Sequence, residues 1–197
     1  MIECFAMKLT DVKTRLDLPR YLNARGLTGQ GVEVGVYQGE FSHHILKHWN
    51  GKKLYLVDSW RKLPRREYND ASNVDQTGHF FNMGVAMRKV ARFGARAAII
   101  RELSVEASVL FEDRSLDFVF IDANHRFGAV TADLKAWYPK IRRGGLLGGH
   151  DFLNSPRKKN HLSDFGVRSA ATRWASRHRL KIHSNEVEKF PSWFVEV

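Results

Sequence analysis

Cysteine is almost missing from this chain. A single Cys4 among 197 residues excludes an internal disulfide and fits a reducing cytoplasm. Long apolar runs are missing too: nothing approaches the roughly 18 consecutive apolar residues of a membrane span. The opening MIECFAMKLTDVKTRLDL sets charges among its apolar positions and lacks a signal-peptide core. Together these give an expected cytoplasmic location. There is no internal repeat, no low-complexity segment and no aromatic-interleaved RNA-binding signature. Nor is there a G-x-G-x-x-G turn, which weakens a dinucleotide-dehydrogenase reading.

What is present is ordinary in bulk and unusual in charge. Hydrophobic residues at 43% and charged residues at 27% suit one domain over 1–197 with a full core. The formal net charge is +11, which raises the prior on an anionic partner. The cations are spread out, however, as RKLPRR at 61–66, RR at 142–143 and RKK at 157–159. They read as a solvated face, with nucleic acid kept as the second choice of partner.

Short β-branched runs alternate with helical patterns, the signature of a parallel α/β sheet. Residues 1–26 read as a helical extension, with Leu16, Leu18 and Leu22 packing and Gly26 as the stop. Strands are predicted at 31–36, 53–58, 96–101, 116–122, 145–151, 180–184 and 192–197. Helices are predicted at 40–49, 80–93, 104–111, 127–137 and 166–178. Seven strands with helices between the first six give a doubly wound sheet, and the last two strands are expected to pair antiparallel at one edge. Residues 61–78 carry charge, Pro64 and Gly78 but little periodicity, as a lid or binding loop would.

In such a sheet, ligands sit outside the carboxyl ends of the strands. Asp58, Asp122 and Asp151 each close an apolar strand, and VEVGVYQGEFS forms a glycine-rich turn with Gly31, Gly35 and Gly39 spaced by four. Glycines there let a ligand touch backbone, and a helix N-terminus follows. Asp58 lies 23 residues after Gly35. A carboxylate in that place can accept from a ribose diol, at roughly 1.5–3 kcal/mol per charge-assisted bond. The competing reading is tight packing with Asp58 as a helix cap. In VFIDANH, Asp122 and His125 stand three apart at the lip of a strand, where Asp122 or Asn124 could also serve as a cap.

EVGVYQGEFS, LYLVDSW, LDFVFIDANH and the GG-to-HD strand near 144–151 resemble class I S-adenosylmethionine-dependent methyltransferases. Within that class they resemble the metal-dependent subgroup of catechol and macrolide-sugar or antibiotic-tailoring O-methyltransferases. The resemblance implies a Rossmann-like methyltransferase fold, mostly parallel with an antiparallel last strand. It assigns Glu33, Gly35, Tyr37, Gly39 and Ser42 to the methionine part of the cofactor and Asp58 to its ribose. Trp60 would wall the adenine, or anchor core and lid. Ser104 matches the adenine side, or caps a helix.

The same resemblance gives Asp122 and Asp151 as ligands for Mg²⁺ or Mn²⁺, with His150 a further candidate standing where the family often has a carboxylate or amide. Successive strand residues face opposite ways, so His150 and Asp151 can share a metal only if the strand has already turned into loop. A nitrogen ligand would favour Mn²⁺ or Zn²⁺ over Mg²⁺. His125 matches the general base, and a neutral imidazole suits that role. His43, His44, His48, His79, His161 and His183 read as solvated or structural, though His161 could reach substrate. Loops 61–78 and 152–163 would roof a small-molecule hydroxyl acceptor, with Tyr68, His79, Phe80 and Phe81 as lid residues. Alternatives are a metal-independent methyltransferase in which Asp122 only orients the cofactor, an RNA or polyanion methyltransferase, and an inactive nucleic-acid-binding module. A homodimer is permitted and not required.

Overall fold

The strands find their places because their apolar positions alternate. In a computed structural model, described for residues 7–155, 165–185 and 187–197, Phe118 and Phe120 pack on one face of the sheet and Val119 and Ile121 on the other. Alternation of period two sends neighbouring side chains to opposite faces. Both faces of Leu116–Ile121 are therefore buried, which makes it the central strand.

The strands are β1 Gln30–Val34, β2 Lys53–Asp58, β3 Ala97–Arg101, β4 Leu116–Ile121, β5 Ile141–Gly149, β6 His183–Ser184 and β7 Trp193–Glu196. They form one seven-stranded sheet in the order β3-β2-β1-β4-β5-β7-β6. β1 to β5 run parallel; β7 runs antiparallel to β5 and to β6. This is the expected doubly wound sheet with its antiparallel last strand.

The helices are α1 Leu18–Ala24, α2 Glu40–His48, α3 Gln76–Val90, α4 Ser104–Ser108, α5 Phe127–Trp137 and α6 Val167–His178. One core layer joins the sheet to α1, α2 and α3 through Leu22, Phe41, Ile45 and Ala86. The other joins it to α4, α5 and α6 through Ala107, Leu134, Trp137 and Trp174. No helix among the described residues is long and apolar enough to cross a membrane.

Several expectations need correction. Residues before β1 are not one helix: 3₁₀ turns at Leu9–Asp11 and Arg15–Asp17 precede α1. Asp17 accepts from the N–H groups of Lys13 and Thr14, which closes a turn rather than extending a helix. Leu16 is 53% exposed, whereas Leu18 and Leu22 are fully buried. α3 starts earlier than its apolar pattern suggests, because Asp75 caps it by accepting from the Gly78 N–H at 2.7 Å. β5 starts at Ile141 rather than at the glycines, with a register shift against β4 between Ile141 and Leu146. Gly144, at φ +73°, lies within that irregular stretch.

The lid expected at 61–78 is irregular only as far as Asp75, where α3 takes over, and it is well fastened. Asn73 donates to the carbonyls of Leu63 and Tyr68 and accepts from the Leu63 N–H. Asn124, after β4, donates to the Glu67 carbonyl at 2.9 Å. The second expected roof, 152–163, and with it His161, extends outside the described residues.

Candidate active site

The turn after β1 needs glycine at Gly35. Its φ is +91°, and a Cβ there would lie 2.0 Å from the Asp122 carbonyl oxygen. This bare backbone brings the ends of β1 and β4 together, with the Asp122 N–H donating to the Val34 carbonyl. Gly39, at φ +76°, opens α2 against Ala86 of α3. Gly31 differs: a Cβ on it would strike the Phe118 ring, so it serves packing.

Asp58, at the end of β2, holds this turn in shape. Its Oδ2 accepts from the N–H groups of Val36 and Tyr37, each at 2.9 Å, and its Oδ1 from the Trp60 N–H at 2.8 Å. A carboxylate has about four acceptor positions, so one remains for a ligand hydroxyl. Tyr37 has a left-handed backbone at φ 53°, a conformation that costs a non-glycine residue on the order of 1–3 kcal/mol. Its N–H to Asp58 and its carbonyl, which accepts from Trp60 Nε1, hold it there.

Below the turn, Glu33 is almost fully buried, and Ser42 donates its hydroxyl to Glu33 Oε2. Burial pushes the Glu33 carboxyl up to about 8, against the opposing hydrogen bond from Ser42. Ser42 is itself completely buried, so it acts by holding Glu33. At the far side, Ser104 is not the cap it could have been: Leu103 holds the N-cap position. Instead Ser104 Oγ accepts from Trp137 Nε1 at 2.9 Å. Buried Asp133 of α5 also bonds Ser104, and burial raises its carboxyl to about 7.

The chemistry end gathers charged groups from β4, β5 and the lid. β5 ends at Gly149 and Asp151 has φ 53°, so the chain has turned before Asp151 and both His150 and Asp151 can face Asp122. His125 Nε2 lies 3.0 Å from Asp151 Oδ2 and 3.5 Å from Asp122 Oδ1. His150 Nδ1 lies 3.5 Å from Asp151 Oδ2 and 3.8 Å from Asp122 Oδ2. The ligand atoms of Asp122, His125 and Asp151 all fall within 4.8 Å of one another, close enough to share a metal ion. His125 thus joins the cluster expected of Asp122, Asp151 and His150.

Sequence reasoning missed three neighbours of this cluster. Asp70, in the lid, approaches His125 Nδ1 at 3.6 Å. Phe165 stacks on the His125 ring with centroids 5.0 Å apart. Arg15, in the second 3₁₀ turn, donates from Nη1 to Asp122 Oδ2 at 3.1 Å. None of these contacts leaves a local signal, since each partner is distant in the chain. Burial disfavours the His125 imidazolium, but the Asp122, Asp151 and Asp70 carboxylates outweigh it and raise its pKa to about 11. Burial likewise pushes Asp151 up, and the two histidines more than reverse this, holding it well below the usual carboxylate range.

Residues from both ends line one cleft of about 650 Å³, among them Gly35, Tyr37, Asp58, Ser104, Asp122 and His125. That volume is in the range of small-molecule and cofactor sites. A base would meet Ser104 and Asp133, a diol Asp58, and a charged tail the Arg15, Glu33 and Asp122 end. His79 is buried on α3 and also lines the cleft, as does Tyr68. Phe80 and Phe81, expected on the lid, are exposed instead.

A family profile described as a methyltransferase domain matches residues 32–152, the span that supplies the turn, Asp58 and most of the charged cluster. The chain belongs to the methyltransferase domain family. It is an S-adenosylmethionine-dependent methyltransferase of class I, as its motifs led one to expect. No curated protein sequence matches it. Among solved structures, this methyltransferase is similar to an O-methyltransferase from Bacillus cereus in complex with SAH. The TM-score is 0.65 at 14% identity, covering 97% of this chain and 82% of that one. A Staphylococcus aureus protein provisionally named a caffeoyl-CoA O-methyltransferase gives a TM-score of 0.67 at 14% identity, over 92% of this chain and 82% of that one. An rRNA methylase from Streptococcus thermophilus gives 0.57 at 8% identity, over 90% and 95%. Identities this low speak for the fold, and the fold serves several kinds of acceptor.

Proposed function

We propose that this methyltransferase transfers the methyl group of S-adenosylmethionine to a hydroxyl of a small molecule, assisted by a divalent cation, Mg²⁺ or Mn²⁺. The observation that carries the reading is the Asp122–His125–Asp151 cluster, with ligand atoms within 4.8 Å, two members of which, Asp122 and His125, line the cleft that holds Gly35 and Asp58. Two carboxylates with the His150 imidazole beside them suit a divalent cation, and a nitrogen ligand favours Mn²⁺ over Mg²⁺. Two structural neighbours named as O-methyltransferases agree with a hydroxyl acceptor.

In this reading Asp122 and Asp151 hold the cation, with His150 beside them. Glu33, Gly35, Tyr37 and Gly39 shape the bed of the cofactor's methionine part, with Ser42 supporting Glu33 from below. Asp58 accepts from one ribose hydroxyl, Trp60 backs the turn, and Ser104 and Asp133 face the adenine. When bound, the cation lowers the pKa of a coordinated hydroxyl and fixes its position. His125 takes the hydroxyl proton at Nε2. Its Nδ1 lies 3.6 Å from Asp70 Oδ2, a carboxylate that would stabilise the imidazolium formed when Nε2 accepts the proton. The carboxylates that raise the His125 pKa include Asp122 and Asp151, the pair that would hold the cation. The fastened lid over the cleft suits a small acceptor.

The net charge of +11, with exposed Arg65 and Arg66 on the lid, favours an RNA or polyanion acceptor as second reading. A panel of phenols, sugars and short RNAs, assayed with labelled S-adenosylmethionine and Mn²⁺, separates the two. The proposal expects turnover on a small hydroxyl compound, lost on chelation and reduced at least about 100-fold in Asp122→Asn or His125→Gln. Undiminished turnover in chelator would overturn the metal's part; turnover on RNA alone would establish the second reading.

A further inference from the structure

The polypeptide before β1 contributes a charge to the cleft that the reaction as described leaves unused. Arg15 stands in a 3₁₀ turn closed by Asp17, with Leu18 and Leu22 buried just behind it. Its guanidinium lies 5.1 Å from the centroid of the Phe41 ring, so the flat group is held over an aromatic face. One donor, Nη1, bonds Asp122 Oδ2 at 3.1 Å. A guanidinium has five N–H donors in a planar fork, and its side chain is 31% exposed at the lining of the cleft.

The strand order fixes which end of a ligand Arg15 would meet. Ser104 and Asp133 lie at one end of the cleft, Asp58 follows at the end of β2, and Asp122 at the end of β4 lies across β1 from it. A nucleoside with its base at Ser104 and its ribose at Asp58 therefore extends over the Gly35 turn toward Asp122 and Arg15. In S-adenosylmethionine that end is an amino-acid zwitterion. Arg15 near Glu33 presents the complementary pattern: one fixed cation, shaped for bidentate binding of a carboxylate, and in the Glu33 carboxyl an acceptor for an ammonium. Resting on the cofactor site proposed above, we infer that Arg15 binds the α-carboxylate of the cofactor's methionine moiety. The N-terminal segment is thereby a part of the cofactor site.

The competing explanation is that Arg15 only neutralises Asp122. Titration calorimetry on the full chain with S-adenosylhomocysteine and with 5′-methylthioadenosine, which lacks the amino acid, separates them. Arg15→Gln is expected to weaken S-adenosylhomocysteine about 10- to 100-fold, as the loss of a charge-assisted pair would, and to leave 5′-methylthioadenosine unchanged. Arg15→Lys, which keeps the charge but loses the fork, should fall between, and it carries the test if the glutamine variant does not fold. Adding Asp122→Asn to Arg15→Gln should not restore binding. Equal weakening of both ligands, no weakening of either, or full restoration in the double variant would overturn the inference. If the unaltered protein binds neither ligand, the cofactor site itself fails, and Arg15 with it.

Discussion

Single residues here carry two duties at once. Asp58 holds the turn with three of its acceptor positions, taken by three backbone donors, and in the proposed function offers the fourth to a ribose hydroxyl. Asp58→Ala should therefore cost stability, about 1–3 kcal/mol by denaturant unfolding, as well as cofactor affinity. A variant that lost affinity at full stability would contradict this coupling. Gly35→Ala should be harsher. It puts a Cβ 2.0 Å from the Asp122 carbonyl at φ +91°, and both thermal stability and binding of S-adenosylhomocysteine should fall together. Asp133 supplies a pH signature. Its carboxyl is raised from 3.8 to about 7 by burial, opposed by Ser104 and reinforced by Glu106. A raised acid is at its most stabilising below its unfolded pKa, and stability is lost as pH rises from about 4 to about 7, by up to ~1.4 kcal/mol per unit. Unfolding curves of Asp133→Asn should lack that share of the decline, and parallel curves for the two proteins would refute the assignment.

At the scale of elements, the sequence was legible wherever a hydrophobic period ran uninterrupted. β2 and α5 occupy the expected residues 53–58 and 127–137, since KLYLVD alternates cleanly and FGAVTADLKAW keeps one apolar face. Legibility failed where hydrogen bonds rather than burial set the boundary. Asp17 and Asp75 close turns and caps that move element ends by several residues. The lid was readable as a loop over 61–78, though Gln76 to Gly78 belong to α3; its order was not readable, since it rests on Asn73 and Asn124 reaching far along the chain. Asn73→Ala removes three hydrogen bonds within the lid. Limited trypsin digestion should then cut at Arg65 or Arg66 several-fold faster than in the unaltered protein, while the global unfolding midpoint stays nearly constant. An unchanged cleavage rate would mean that the lid is held by something else.

For the whole molecule, the parallel order of β1 to β5 brings their carboxyl ends to one edge of the sheet, where residues distant in the chain meet. That is why Asp58, Asp122 and Asp151 could be singled out from the sequence: each is the polar residue that ends an apolar strand, and topology places such ends together. What arrives from outside the strands had no such marker. Arg15 comes from the N-terminal turns, Asp70 from the lid and Asp133 from the side of α5, and only the folded chain brings them to the site. In the proposed function these groups form a single cofactor-and-metal site. Its most direct test is calorimetric titration of S-adenosylhomocysteine and then Mn²⁺ into the protein, with Asp58→Ala and Asp122→Ala alongside. The expected result is saturable nucleoside binding weakened by Asp58→Ala, and a separate Mn²⁺ heat lost in Asp122→Ala. Failure of the unaltered protein to bind S-adenosylhomocysteine, with or without Mn²⁺, would contradict the proposed site.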